Sequence, residues 1–280
     1  MTIKNAMTID VEDYFQVSAF EPYIKKADWD KQECRVEVNT NRLLDLLSDN
    51  SINATFFTLG WVAERYPQLI KRMINDGHEL ASHGYDHVRV TQQTPEQFRE
   101  DVIKTKNILE DISGVEIKGY RAASYSIKKE NLWALDVLHE TGHKYSSSIY
   151  PVKHDLYGIP DAPRYKYYPR GNDGILEIPI TTLKFAGKNW PCGGGGFFRL
   201  YPYGLSRWAL SQVNDKDKES GMFYFHPWEI DPGQPKQYKI SMKTKFRHYL
   251  NLDKMFDRLE YLMRDFQWGR MDDIFLSDKE

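Results

Sequence analysis

The sequence predicts an α/β fold of parallel strand–helix units, in which the strands form either an open sheet or a barrel. Over the first two thirds of the 280 residues, short apolar segments of strand length alternate with segments of helical periodicity. Acidic, histidine and arginine residues directly follow several of these strands. Because the carboxyl ends of parallel strands gather at one end of such a fold, these polar residues are the candidates for a functional site.

The individual elements are predicted from apolar patterns and from start and stop signals. The strands are predicted at residues 6–10, 54–59, 79–82, 117–120, 176–180 and 222–226. Thr40 is predicted to cap a helix that carries four leucines on one face. Proline, a capping box or glycine indicates the ends of three further helices. These are Pro67 to Gly77, Thr94 to Gly114, and Asn131 to Gly142.

The remaining segments show less regularity. Between about 150 and 220, closely spaced prolines and four consecutive glycines at 193–196 predict a loop-rich insertion. Residues 251–266 have apolar side chains at helical spacing, which is typical of an amphipathic helix docked on a core. We therefore expect one domain over residues 1–280, with an irregular insertion and a C-terminal helix.

Composition excludes several classes of protein. Lysine plus arginine total 38 against 40 acidic residues. The net charge therefore gives no sign of binding to nucleic acid or to an anionic membrane. Two cysteines, Cys34 and Cys192, are too few for a disulfide scaffold or a thiolate-rich zinc site. The first residues lack the apolar region of a signal peptide, and no apolar stretch is long enough to span a membrane. We therefore expect a cytoplasmic protein; its oligomeric state is left open.

Two groups of residues have the composition of a metal site. Asp10, Glu12 and Asp13 follow the first strand, and carboxylates this close repel one another unless a cation is near. His83 and His87 follow the third strand, four residues apart. If that segment makes one helical turn, both imidazoles lie on one face and can bind the same ion. The alternative for the carboxylates is a surface turn.

Two further signals stand at strand ends. Arg121 follows the strand at 117–120 and can orient a carboxylate, although a surface ion pair is the alternative. His226 lies between Tyr224 and Trp228, so it is either a general acid or a hydrogen-bonded core histidine.

Together these motifs resemble those of the NodB-type polysaccharide deacetylases, carbohydrate esterase family 4. The match rests on TIDVED at 8–13, on DGHELASHGYDH at 76–87, on RAASY at 121–125 and on YFH at 224–226. Gly84 stands where the family usually has serine or threonine, and Ala123 stands where proline is expected. Further segments are similar to a subfamily from bacterial exopolysaccharide, O-antigen and exosortase loci. They are YSSSIYPVKHDLYGIP, GGGGFFRLYPY, FHPWEIDP and FRHYLNLDKM.

The resemblance implies a distorted (β/α)7 barrel that hydrolyses the N-acetyl group of an amino sugar. It implies Asp10 as general base, Arg121 as its orienting partner and His226 as general acid. One divalent ion, expected to be zinc with cobalt, nickel or iron as alternatives, would bind His83, His87 and a carboxylate. Val11 occupies the usual ligand position, so that carboxylate is Glu12 or Asp13. Glu12 is favoured because it points to the same side of an extended segment as Asp10.

The substrate is expected to be an N-acetylated sugar of a surface glycan or its precursor. Aromatic residues make up 14% of the chain and could stack on sugar rings, although most are expected in the core. The candidates for substrate contact are Tyr125, whose neighbouring backbone N–H could bind the oxyanion, with Trp228, Phe198 and His154. Asp155, the neighbour of His154 in the subfamily segment, is also expected to line the substrate cleft.

Two alternatives to a deacetylase remain on the same fold. One is an allantoinase-like hydrolase of cyclic amides or ureides, in which a D-x-E pair of carboxylates also occurs. The other is a non-catalytic glycan-binding protein, which the departures at Gly84 and Ala123 would allow.

Overall fold

A computed structural model describes residues 3–154 and 157–277 of the protein. Within this part, eight parallel strands form one curled sheet, and a two-stranded hairpin lies apart from it. The strands are β1 (Lys4–Val11), β2 (Thr55–Thr58), β3 (Glu79–Ser82), β4 (Gly119–Tyr120), β5 (Tyr145–Ser146), β6 (Leu176–Glu177), β7 (Thr182–Phe185), β8 (Lys188–Pro191), β9 (Met222–Phe225) and β10 (Gln267–Gly269). The α-helices are α1 (Val36–Asp49), α2 (Gly60–Arg65), α3 (Pro67–Asn75), α4 (Pro95–Ser113), α5 (Trp133–Glu140), α6 (Gly195–Leu200), α7 (Tyr203–Ser211), α8 (Met242–Tyr249), α9 (Leu252–Asp265) and α10 (Met271–Phe275).

The order of the strands brings the polar motifs to one end of the sheet. The path is β10-β1-β2-β3-β4-β5-β6, and β9 also pairs with β1. Ile9 in β1 is level with Phe225 in β9, and Ser82 in β3 is level with Tyr120 in β4. Since all these strands run parallel, the residues that follow them emerge at the same end.

The sheet curls into a distorted barrel, as predicted. Between β6 and β9 the wall is completed by the segment that contains the hairpin. There the Met222 N–H donates to Thr181 Oγ1 (2.6 Å), and the Tyr224 N–H donates to the Gly193 carbonyl (2.8 Å). The predicted α/β class and barrel are therefore confirmed.

The barrel wall is buried on both faces. In β1 every residue from Asn5 to Val11 is buried, which explains why its sequence lacks the alternation of a half-exposed strand. The helices cover the outside of the sheet with their apolar faces; α9, for example, buries Leu252, Met255, Leu259, Leu262 and Met263. No helix in the described ranges has the length and apolar character needed to cross a membrane.

Local signals placed most helices correctly, but the predicted start of α1 is wrong. The Thr94 capping box opens α4, and Gly114 ends it with φ +72°. In contrast, α1 begins at Val36, and Thr40 lies inside it with its hydroxyl on the Val36 carbonyl (2.6 Å). The first N–H groups of α1 are satisfied by a distant side chain, Asp13, which no local pattern could show.

The segment from 150 to 220 contains more regular structure than the prolines and glycines suggest. It carries the β7–β8 hairpin, α6 and α7. Three of the four glycines at 193–196 are needed for close packing rather than for flexibility. A Cβ on Gly194 would lie 2.5 Å from the Tyr224 ring, and one on Gly195 would lie 2.3 Å from the Glu229 carboxylate. These glycines therefore fix α6 against the end of β9.

Candidate active site

Asp10 and Arg121 form a buried ion pair at the centre of the barrel end. Arg121 Nη1 donates to Asp10 Oδ1 at 2.5 Å and to the Thr8 hydroxyl at 2.9 Å. Its Nε and Nη2 donate to the carbonyl and hydroxyl of Ser147. Arg121 is fully buried and Asp10 is 2% exposed. The pairing expected from the sequence is present, but through one guanidinium nitrogen, because the other two bond to Ser147, which directly follows β5.

Glu12, His83 and His87 bring three metal-binding atoms to one point. One ligand atom from each residue lies within 4.8 Å of the other two. His83 Nδ1 is 2.8 Å from the Arg121 carbonyl, which leaves its Nε2 for the site. Burial lowers the pKa of His83 to about 4, so this ring is neutral, as a metal ligand must be.

Glu12 Oε2 supplies an independent test of the fit to a metal ion. This buried oxygen has no aligned hydrogen-bond donor, although His87 Nε2 lies 3.0 Å away. Two atoms that face a common third point, rather than each other, have the geometry of ligands to one ion. Burial raises the pKa of Glu12, but the facing His87 and His226 outweigh it and lower that pKa to about 2. The three residues therefore fit a divalent cation.

The two histidines do not converge by the helical turn that the sequence suggested. Residues 83–87 form a bend, with Gly84 at φ +74° and His87 at φ +59°. The Tyr85 N–H donates to the Asp101 carboxylate (3.0 Å), which holds the bend against α4. The imidazole centroids are 5.3 Å apart.

Asp13, the alternative ligand, faces away from the histidines. Its Oδ2 accepts the N–H groups of Arg35 (2.6 Å) and Val36 (2.8 Å), and its Oδ1 accepts the N–H of Tyr14 (2.8 Å). These bonds occupy the carboxylate at the start of α1. Of the two acidic candidates, the structure brings only Glu12 to the two histidines.

His226 lies beside both carboxylates, in contact with a residue that the sequence analysis did not identify. Its Nε2 is 3.5 Å from Glu12 Oε1 and 4.0 Å from Asp10 Oδ2, and its Nδ1 is 2.8 Å from Glu229 Oε1. Arg199 in turn donates to Glu229 Oε2 (2.6 Å). Burial lowers the pKa of His226, but the carboxylates of Glu12, Glu229 and Asp10 outweigh it and raise that pKa to about 9. His226 is therefore positively charged at neutral pH.

A cleft of about 250 Å³ opens over these groups. Tyr125, His154, Trp228 and Arg247 line it. Trp228 stacks on His226 with 5.2 Å between centroids, and His154 stacks on Tyr157 at 3.9 Å. Asp155 lies outside the described residues.

One expectation about substrate contacts differs from the structure. Phe198 is 2% exposed and packs on Phe223 (5.0 Å between centroids), outside the cleft, because α6 turns it towards the core. Tyr125 lines the cleft, and its own N–H donates to the Ala122 carbonyl (3.0 Å), so the expected oxyanion donor, a neighbouring backbone N–H, stays a prediction.

Comparison with known proteins agrees with this arrangement. Residues 29–146 match the family described as "Polysaccharide deacetylase", and residues 147–276 match a "Domain of unknown function (DUF3473)". Among curated relatives, a peptidoglycan-N-acetylglucosamine deacetylase of Bacillus cereus is 35% identical over 98 residues, 35% of this chain and 36% of that protein. A chitooligosaccharide deacetylase of Bradyrhizobium is 29% identical over 99 residues, 35% of this chain and 43% of that protein. The matched part thus spans well under half of either relative.

Solved structures share the fold over nearly the whole chain. A Mycobacterium smegmatis protein described as a polysaccharide deacetylase aligns with a TM-score of 0.63 at 18% identity, over 98% of this chain and 88% of that one. A family 4 carbohydrate esterase pseudoenzyme from Bacillus anthracis aligns with a TM-score of 0.51 at 14% identity, over 98% and 65% of the two chains. Residues 29–146 therefore belong to a polysaccharide deacetylase domain of the NodB type, carbohydrate esterase family 4, within a chain that shares its fold with such proteins.

Proposed function

We propose that the protein is a metal-dependent hydrolase that removes the N-acetyl group from an amino sugar of a bacterial surface glycan or its precursor, releasing acetate. The observation that supports this most strongly is the convergence of three sets of groups at one barrel end. They are Asp10 with Arg121, Glu12 with His83 and His87, and His226 with Glu229. Deacetylases among the relatives point to the same reaction class.

The proposed roles follow from the charges of these groups. Glu12, His83 and His87 would hold a divalent ion, which supplies Lewis acidity to the acetyl carbonyl and to the attacking water. Asp10 accepts the proton of that water, and Arg121 holds the Asp10 carboxylate in place through its hydrogen bond to Oδ1. His226, whose Nδ1 lies 2.8 Å from the Glu229 carboxylate, donates a proton to the departing amine. We propose zinc, with cobalt, nickel or iron as alternatives.

The experiment that tests this proposal combines metal content with acetate release. Purified wild-type protein should contain about one equivalent of a divalent metal and release acetate from N-acetylglucosamine oligosaccharides. A chelator should abolish the reaction, and the metal should restore it. Asp10→Asn should retain metal and lose kcat by roughly 10²–10⁴-fold, the usual contribution of a positioned base.

Paired substitutions separate the two acidic candidates for the metal. Glu12→Gln should lose the metal, whereas Asp13→Asn should keep it and be less stable by about 1–3 kcal/mol, since it weakens a buried charge-assisted cap. Metal retained in Glu12→Gln and lost in Asp13→Asn would reverse the assignment.

The same preparations test the two alternatives on this fold. Turnover of allantoin or another cyclic ureide, without acetate release from sugars, would identify a ureide hydrolase. Metal-loaded protein that binds oligosaccharides but turns over neither substrate would identify a glycan-binding relative, comparable to the pseudoenzyme of the same fold.

A further inference from the structure

A second concave surface lies between the β7–β8 hairpin and helices α6 and α7. It is a cavity of about 320 Å³, which we call the apolar groove. Its wall includes Leu183, Phe185, Trp190, Phe197, Leu205 and Trp208. None of the groups proposed for catalysis lines it.

The side chains at the edge of the groove are unusually exposed for their size. Phe185 is 56% exposed, Trp190 47%, Leu205 45% and Trp208 42%. Single exposed apolar residues need no explanation, but a cluster of four around one cavity marks a binding surface. Burying these side chains against an apolar ligand would remove the cost of their contact with water.

The groove adjoins the candidate active site. Helix α6 forms part of its wall through Phe197, and the same helix begins at Gly195 against the Glu229 carboxylate. Gly194, just before the helix, forms a bridge with Tyr224, which lines the cleft. A helix of six residues rises only about 9 Å. The groove therefore lies within the reach of an extended ligand that is bound in the cleft.

The chemistry of the wall selects the kind of group that fits. Most of the wall is apolar, and two of its few polar groups already have partners: the Trp190 indole N–H donates to the Phe185 carbonyl (3.2 Å), and the Cys192 thiol lies 3.7 Å from the Thr181 carbonyl. A peptide or a sugar would bring N–H, C=O or hydroxyl groups that lose their hydrogen bonds to water in this groove. A hydrocarbon chain has no such groups.

We infer that the apolar groove binds the hydrocarbon chain of a glycolipid whose N-acetylated sugar lies in the cleft. This inference rests on the proposed function and deepens it, because it names an acyl or isoprenyl glycolipid as the substrate class. The hydrocarbon chain of the ligand contributes binding energy, and the sugar presents its acetamido group to Asp10 and His226.

Calorimetric binding of two synthetic ligands tests the inference. The dodecyl and methyl glycosides of one N-acetylglucosamine oligosaccharide are compared on metal-loaded protein, below the micelle concentration. The dodecyl glycoside should bind at least tenfold more tightly, since each methylene that the groove buries contributes about fourfold. Phe185→Ser and Trp208→Ser should each reduce this preference several-fold. Ile103→Ser, at an equally exposed position on α4, should leave it unchanged.

Three results would overturn the inference. The first is equal affinity for both glycosides, and the second is a preference for the dodecyl glycoside that persists in both groove variants. The third is binding of the protein to anionic phospholipid vesicles that contain no glycolipid, if Trp208→Ser abolishes that binding. The last would identify a membrane contact instead.

The two proposals fail separately. Binding does not require turnover, so a chain preference without acetate release would remove the proposed reaction and keep the groove. Acetate release at equal KM from both glycosides would keep the reaction and remove the groove.

Discussion

Glu229 shows how one buried carboxylate can set the charge of a neighbouring histidine. It is 1% exposed and lies between the His226 ring and the Arg199 guanidinium. Arg199 also donates to the carbonyls of Arg247, His248 and Leu250, so it is fixed independently of Glu229. The carboxylate is thus held in place and stabilises the charged imidazole.

At the residue scale, we predict that Glu229→Gln shifts the basic limb of the kcat/KM profile to lower pH by about 1–2 units. In the proposed mechanism, activity requires protonated His226 and is lost as the pH rises through its pKa. Removing a carboxylate 2.8 Å from Nδ1 lowers that pKa, so the loss begins earlier. A pH profile of acetate release measures the shift. The control is Glu177→Gln, which removes another buried carboxylate, one that accepts the N–H groups of Ser148 and Ile149. An identical basic limb in the two variants would contradict the prediction.

A second prediction at this scale concerns Arg121. Arg121→Lys should lower kcat by about 10²-fold with little change in KM, because an ammonium cannot hold Asp10, Thr8 and Ser147 together. Steady-state kinetics and metal analysis on one preparation measure this. Arg164→Lys, at another largely buried ion pair, should remain active. Wild-type kcat in Arg121→Lys would show that the pairing is dispensable.

At the scale of elements, the bend after β3 determines whether the two histidines meet. Gly84 has φ +74°, and a Cβ there would lie 3.0 Å from Asp101 Oδ2. The position therefore favours glycine for both its backbone conformation and its packing. This gives a physical reason for the departure from the usual serine or threonine of the family.

We predict that Gly84→Ala destabilises the protein by about 1–2 kcal/mol, the cost of a side chain in the left-handed region. The strain should also weaken metal binding, because the bend sets the position of His83 relative to His87. Urea unfolding and a zinc titration check both effects. Gly204→Ala is the matched control, because it lies in α7 with nothing within 4 Å of the added methyl group. Equal stability and zinc affinity of Gly84→Ala and wild type would contradict the prediction.

At the scale of the whole molecule, buried histidines link stability to pH. Burial lowers the pKa of His78 and of His143 to about 4, against about 6.5 in an unfolded chain. His78 Nδ1 accepts the Ala54 N–H (3.1 Å), so it must be unprotonated in the fold. A folded pKa below the unfolded value means that stability is complete above pH 6.5 and is lost as the pH falls towards 4. Burial raises the pKa of Glu79 to about 7, which has the opposite effect on stability in part of this range.

Because protonation of the histidines and of Glu79 has opposite effects on stability, the prediction compares the wild type with a variant that lacks only the His78 imidazole. Between pH 7 and pH 5, the wild type should lose about 2 kcal/mol more than His78→Gln, since the variant has no imidazole to protonate at that site. Urea unfolding at the two pH values measures the difference. His139→Gln, at an exposed position on α5, should follow the wild type. An equal loss in all three proteins would contradict the assignment to His78.

The sequence by itself determined the fold class, because apolar periodicity and capping signals are local. The Thr94 capping box and the strand at residues 79–82 required no tertiary information, and both are confirmed. The motifs at Asp10, His83, Arg121 and His226 were found because parallel strands necessarily end on one side. The cytoplasmic location, the metal and the role of each residue stay predictions.

Only the tertiary structure decided what depends on contacts between distant segments. Glu12 rather than Asp13 meets the histidines, because the start of α1 returns to bind Asp13. Arg199 reaches Glu229 because Gly195 lets α6 approach, whereas the contact of Glu229 with His226, three residues before it, is local. Phe198 lies between the core and the apolar groove, because the hairpin and two helices meet there. Such placements depend on the summed packing of elements far apart in the chain, which local patterns do not contain.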